Sequence, residues 1–315
     1  MGFFNFKKKK SNPTLNLTET VNAPSYNPWE QHILPRNENY AIAAMLSCYE
    51  HGRVVAKSSD DFPRYLNNRY KIHDPIKYQM KLIAEGYLIE GSPAIVLRQY
   101  KLAELKNISL KFGLSEKGKK DELIQRLCEN VNANALGLEK VYVPSEKGVA
   151  HLKKYEYVFT LADYDISPDQ FDEFAKTCHK ASKPNDVIWQ LLNARYNAHF
   201  LANDFGLARN EIFNKAHLLI SEKKYTDGLF HFILALYYDT SGMGNNGSVS
   251  SVDGITIAPG LVDLIYKHKE HFTDEMISKC YKGHKLPHHY LKEKNFRKLL
   301  VDIFDDAPID IRKYL

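Results

Sequence analysis

The sequence predicts a mainly α protein: a helix–loop–helix set in a small α(+β) N-terminal domain, followed by an all-helical C-terminal domain. Three observations carry this. Apolar residues recur at steps of three and four from Leu102 to Leu127 and again from Val187 to Tyr237, the spacing that lines one face of a helix. Two short stretches, Tyr87 to Ile89 and Val141 to Val143, read as strands. The chain of 315 residues, 44% hydrophobic and 26% charged, has the composition of an ordinary globular protein long enough for two or three cores.

Residues 1–28 read as a disordered basic tail. Phe3, Phe4 and Phe6 precede four consecutive lysines, Lys7 to Lys10, a combination that also fits a weak tether to a membrane surface or polyanion. The Ser/Asn/Pro/Thr-rich continuation to Pro28 favours the simpler tail. A myristoyl signal needs Ser or Thr at position 6, where Phe6 stands.

The N-terminal domain is placed at 29–160. Asp74-Pro75 opens a helix with Ile76, Met80, Leu82 and Ile83; it stops at Gly86 and passes into Tyr87-Leu88-Ile89. Leu102, Leu105, Ile108 and Phe112 then form one stripe, Gly113 ends that helix and Leu114 anchors the turn. Ser115 to Gly118 makes a polar loop in which Gly118 supplies a positive φ. A second helix carries Leu123, Ile124 and Leu127 inward, with Asp121 and Glu122 at its positive end. Val141-Tyr142-Val143-Pro144 is a strand entering a helix at Ser145-Glu146-Lys147-Gly148.

The helical domain is placed at 161–315. Pro184-Asn185-Asp186 caps a helix bearing Val187, Ile188, Leu191, Leu192 and Tyr196; another runs from Arg209 to about Lys223; a third carries Leu229, Phe232, Ile233, Leu236 and Tyr237. Trp29 and Trp189 read as core anchors.

The hairpin has the charge of a phosphate-binding element. Arg98, Lys101, Lys106, Lys111, Lys117, Lys119, Lys120 and Arg126 lie in it against Glu104, Glu116, Asp121 and Glu122, so this short segment is more basic than the net charge of +5 over 315 residues would suggest. Free amides at the start of its second helix, near Lys119 and Lys120, add donors that suit a phosphate oxygen. The bland alternative is a solvated hairpin whose lysines serve solubility.

The order of these parts resembles the SAP domain: a leucine-rich helix, a Gly-Leu turn (Gly113-Leu114), then Gly118, Lys120, Glu122-Leu123 and Arg126-Leu127 in matching places, over 98–131. Where that family has a leucine, this chain has Ser109, which bears on the packing of the first helix. The resemblance implies a nucleic-acid-binding module, DNA favoured over RNA. Gly86-Tyr87-Leu88 and Ser145-Glu146-Lys147-Gly148 resemble the helix stop and closing turn of winged-helix proteins. That likeness implies that 87–89 pair with 141–143 and that the module is inserted in the wing. Ala216, Gly228, Phe232 and Ala235 fall where a tetratricopeptide hairpin (here 209–239) has its small and aromatic residues; one such unit does not make a solenoid. The whole arrangement, with Phe62 to Tyr65 and Lys183 to Trp189, resembles uncharacterised SAP-domain proteins of Gram-positive bacteria and their prophages, a family that implies architecture more than activity.

Other motifs carry less. Gly242 to Gly247 matches GxGxxG but follows a helix end, so a loop and no dinucleotide cofactor is expected. His268, His271, Cys280, His284, His288 and His289 are dense, yet their spacing is loose for zinc and no metal is assigned. Asp163, Asp165 and Asp169, or Asp302, Asp305 and Asp306, read as caps and solvated surface. There is no P-loop, HExxH or GxSxG, hence no enzyme is expected. Cys48, Cys128, Cys178 and Cys280 are far apart, and no secretory core or apolar span of transmembrane length appears, so a cytoplasmic, reduced protein is expected. The leading expectation is non-catalytic nucleic-acid binding through the hairpin. The alternatives are an interaction scaffold, binding a protein or a second copy through the C-terminal helices, and a metal-dependent nuclease.

Overall fold

The computed structural model describes residues 37–178, 183–258 and 260–315; the basic tail and Trp29 lie outside the described residues. The protein is mostly helical, with a small N-terminal region holding a three-stranded sheet and an all-helical C-terminal region.

The N-terminal region is built around α1 (Glu38–Ser47), in which every residue from Tyr40 to Leu46 is buried. A helix that is apolar all round has no stripe to detect and no face left for solvent. Asn37 caps it, its side-chain oxygen accepting the Asn39 amide at 3.0 Å. Helices α2 (Tyr65–Asn68), α3 (Pro75–Ala84) and α7 (Glu146–Tyr155) pack on it. Asp74 caps α3 through the Lys77 amide at 2.9 Å, and Pro75 stands where a missing N–H costs nothing. Buried Gln79 accepts the Tyr49 hydroxyl and the Ala56 amide and donates to the Ala56 carbonyl, which ties α3 to the chain leaving β1 without an unmatched polar atom.

Strands β1 (Arg53–Val54), β2 (Leu88–Glu90) and β3 (Val141–Pro144) form an antiparallel sheet in the order β1-β3-β2. Ile89 lies opposite Val143 and Leu88 opposite Pro144, the pairing expected between these two segments; β1 was not anticipated. Between β2 and β3 the chain leaves the sheet to make α4 (Pro93–Gln99), α5 (Leu102–Lys111) and α6 (Lys120–Asn130).

In the C-terminal region α10 (Pro184–Leu201), α11 (Phe205–Ser221) and α12 (Tyr225–Asp239) pack in series, followed by α13 (Leu261–Lys267), α14 (Glu275–Gly283) and α15 (Glu293–Phe304). Helix α11 begins four residues earlier than the sequence predicts. The loop containing Gly242, Gly244 and Gly247 folds back onto that extra turn: Asn245 accepts the Leu207 amide, and the Gly244 carbonyl accepts the Phe205 amide. A Cβ on Gly228 would stand 2.6 Å from Ile220 Cδ1, so this glycine sets how closely α12 approaches α11. The two regions meet through α8 (Tyr157–Thr160) and α9 (Pro168–Ala175): the Asp172 carboxylate accepts the Tyr40 hydroxyl at 2.5 Å, and Arg69 donates to the Ile166 carbonyl at 2.6 Å.

Candidate nucleic-acid interface

Helices α4, α5 and α6 enclose their own small core of Leu97, Leu105, Leu123, Ile124 and Leu127, with Ile108, Phe112 and Leu114 packed against it. A two-helix hairpin buries little apolar surface. The third helix, α4, supplies Leu97, which is fully buried. The sequence signal for α4 was Ser92-Pro93, a helix start that the stronger stripe after it obscured. Of the eight residues expected in this core, Leu105, Leu123, Ile124 and Leu127 are in it and Ile108, Phe112 and Leu114 pack against it. Leu102 does neither: as the first residue of α5 it lies before the turn that meets α6 and is 42% exposed.

Helix α5 closes as a Gly-terminated helix should. Gly113 sits at φ +69°, and the Leu114 amide returns to the Ser109 carbonyl at 2.8 Å. Ser109, where a leucine would suit the resemblance, is fully buried, and its hydroxyl has no hydrogen-bond partner.

The cations of the module divide into two groups. Arg126 donates from one guanidinium nitrogen to the carbonyls of Ser115 at 2.5 Å and Lys117 at 3.0 Å, and so fixes the loop between the helices. Lys120 donates to the Arg98 carbonyl at 2.7 Å, joining α6 to the end of α4. Arg98, Lys101, Lys111, Lys117 and Lys119 are exposed and Lys106 is half-buried; among the described residues no carboxylate forms an ion pair with any of them.

The acids are turned elsewhere. Glu104 accepts the Lys101 amide at 2.6 Å, and Glu122 accepts the Lys119 amide at 3.1 Å, each capping the start of its own helix. Glu129, a further carboxylate in the segment, accepts from Gln125. The Lys119 amide expected to be open to a phosphate is therefore already taken. Gly118 permits this: at φ +126°, a Cβ there would lie 2.5 Å from the Glu122 oxygen.

The motifs on either side of the insertion dock on each other. Ser145 donates its hydroxyl to the Gly86 carbonyl at 2.7 Å and accepts the Gly148 amide at 3.2 Å, while its own amide reaches the Tyr87 carbonyl at 2.9 Å. Lys147 donates to the Glu85 carbonyl, with its ammonium 3.7 Å from the Tyr87 ring centre.

Elsewhere, the clustered histidines separate. His284 meets the Tyr196 hydroxyl at 3.3 Å, His288 the Ser241 carbonyl and His289 the Tyr237 carbonyl, all of them packing roles. Cys280 is buried and its thiol is pushed up by that burial. Among the described residues one set of three ligating side chains comes together, His268, Glu270 and His271; neither aspartate trio does. Trp189 is partly buried against the core beside α9, with the Lys215 ammonium 5.6 Å from its ring.

A charged group inside the helical region gave no sequence signal. Arg195 on α10 pairs with Glu211 on α11 at 2.7 Å, and Lys215 lies one turn further along α11, 4.5 Å from the Tyr196 ring. Glu211 and Lys215 are 2% and 6% exposed. Burial pushes the Glu211 carboxyl up to about 7 and the Lys215 ammonium down to about 7. No described helix is long and apolar enough to cross a membrane. Comparison with family models, with curated proteins and with solved structures gives no match.

Proposed function

We propose that the chain binds nucleic acid, DNA in preference to RNA, through the phosphate backbone and without catalysis, using the module at 98–131. The observation that carries this is the division of charge within the module. Two of its carboxylates, Glu104 and Glu122, cap helix starts, while Arg98, Lys101, Lys111, Lys117 and Lys119 face solvent with no ion pair to an acid among the described residues. Cations left unpaired in this way attract a polyanion, with an affinity that salt weakens and that reads little sequence.

The frame supports the reading. The order helix, strand, helix, helix and strand pair resembles a winged-helix domain, with the SAP-like module carried between β2 and β3. The cytoplasm is the compartment this reading proposes. A scaffold in which the helices from α10 onward hold a protein partner or a second copy is the second reading, favoured by the tetratricopeptide-like approach of Gly228 to Ile220.

Fluorescence anisotropy with double-stranded DNA, single-stranded DNA and RNA across a salt series tests the proposal. The variant to run beside the wild type is Lys117→Glu with Lys119→Glu, because Lys120 and Arg126 also hold the module together. Binding that weakens steeply with salt and falls at least tenfold in the variant is expected. Equal binding by both proteins, or none at low salt, overturns the reading and leaves the scaffold.

A further inference from the structure

Between α13 and α14 the chain makes a single 3₁₀ turn, Lys269–His271, closed by the His271 amide on the His268 carbonyl at 3.0 Å. That turn gathers three side chains the spacing alone leaves apart. One ligating atom from each of His268, Glu270 and His271 lies within 4.8 Å of the other two. The His271 Nε2 and Glu270 Oε1 atoms are 3.4 Å apart. Donors bonded to a tetrahedral ion at about 2.0–2.1 Å stand about 3.3–3.4 Å from each other, so this pair already has the separation of two zinc ligands.

The imidazoles are held from behind. His268 is buried, with its ring parallel within 18° to the rings of both Tyr225 and Phe232, and the His271 ring is stacked on Tyr225 at 5.2 Å between centres. Rings clamped in this way lose little freedom on taking up an ion. On the outer side Glu270 is exposed and His271 half-buried, which leaves the cluster open to solvent. Two lysines, Lys267 before the triplet and Lys269 within it, oppose a cation. Lys269 is drawn off, donating to the Phe304 carbonyl at 2.9 Å and resting over the Tyr266 ring, while Lys267 remains as a neighbouring charge on His268.

We propose that His268, Glu270 and His271 form a binding site for a divalent first-row transition ion, zinc in the first instance. Two nitrogens and one carboxylate oxygen suit zinc and its neighbours and are too few oxygens for calcium or magnesium. Three protein ligands leave at least one position for water. The site lies on the C-terminal region and is separate from the nucleic-acid reading above.

The test is a zinc titration of the full chain against a chromophoric chelator, repeated with His271→Ala and with Glu270→Gln, both partly exposed positions. Cobalt is used in parallel, because its visible absorption reports the ligand set. One tight equivalent of zinc, weakened at least tenfold in each variant, and a cobalt band that His271→Ala removes are the expected results. Zinc binding that is equal in wild type and His271→Ala, or a cobalt spectrum no different from that of the free ion, overturns the proposal.

Discussion

The α carbon of Gly148 packs so close to the carbonyl of Tyr87 that a methyl group on it would lie 2.5 Å from that oxygen. The two residues are 61 positions apart, and the whole three-helix module leaves and returns between them. Ser145 completes the contact by bonding to Gly86, Tyr87 and Gly148 at once. The contact that closes the frame around the insertion is therefore backbone against backbone. Gly148→Ala gains helix propensity of up to about 1 kcal/mol. The carbonyl cannot yield as a side chain would, and overpacking of this kind costs about 1–3 kcal/mol. A net loss of stability in urea denaturation is expected, and an unchanged or raised midpoint would contradict the role given to this glycine.

Ser109→Ala should stabilise the protein. The hydroxyl is fully buried among leucines and has no partner, and leaving such a group unmatched costs about 1–3 kcal/mol. Alanine removes it, adds helix propensity and creates almost no cavity. Chemical denaturation should show a gain of about 1 kcal/mol, with the gain localised to α5 and α6 in hydrogen exchange.

Arg126 separates two roles that a sequence reading merges. If it only met phosphate, Arg126→Lys would keep the charge and most of the binding. Its guanidinium instead spans the Ser115 and Lys117 carbonyls, a geometry that an ammonium does not reproduce. Arg126→Lys is thus expected to speed amide exchange over residues 115–120 and to weaken the proposed nucleic-acid binding together with it. The slope of log affinity against log salt should stay unchanged, because on that proposal the number of phosphate contacts does not fall.

What the sequence showed and what it hid have distinct physical causes. That the segment after Gly86 pairs with the one before Ser145 was legible because each strand carries its own boundary signal, although the paired residues are 88–90 and 142–144, one position on from the expected 87–89 and 141–143. Helix α1 was hidden because seven consecutive buried residues erase the periodicity by which a helix is read. Leu102 shares the stripe of α5 yet precedes its packed turns, a fact about which turn meets α6 that spacing does not contain. The cations of the module were visible as charges, while their division between loop clamps and open surface depended on where the carbonyls of Ser115, Lys117 and Arg98 turn. The Glu211 and Lys215 pair gave no signal because charged residues one turn apart on a helix ordinarily face solvent.

That pair makes stability depend on pH in two opposite ways. Glu211 is raised from an ordinary 4.5 to about 7 by burial, against the opposing pull of Arg195. Between those values the folded protein holds a proton that the unfolded chain has released, so this group's contribution is complete below pH 4.5 and is lost as pH rises through 7. At full extent the shift corresponds to about 3 kcal/mol. Lys215 is lowered from 10.5 to about 7, also by burial. Between 7 and 10.5 the unfolded chain binds the proton and the folded one does not, so its contribution is complete above 10.5 and is lost as pH falls through 7. The two together place the least favourable point for this interior near neutrality. Urea denaturation of wild type, Glu211→Gln and Lys215→Met from pH 4.5 to 10 checks this. Relative to Glu211→Gln the wild type should lose stability from pH 4.5 to 7, and relative to Lys215→Met it should gain stability from pH 7 to 10. Parallel curves would mean that both groups are as well solvated in the folded protein as in the unfolded chain, which their enclosure between α10 and α11 opposes.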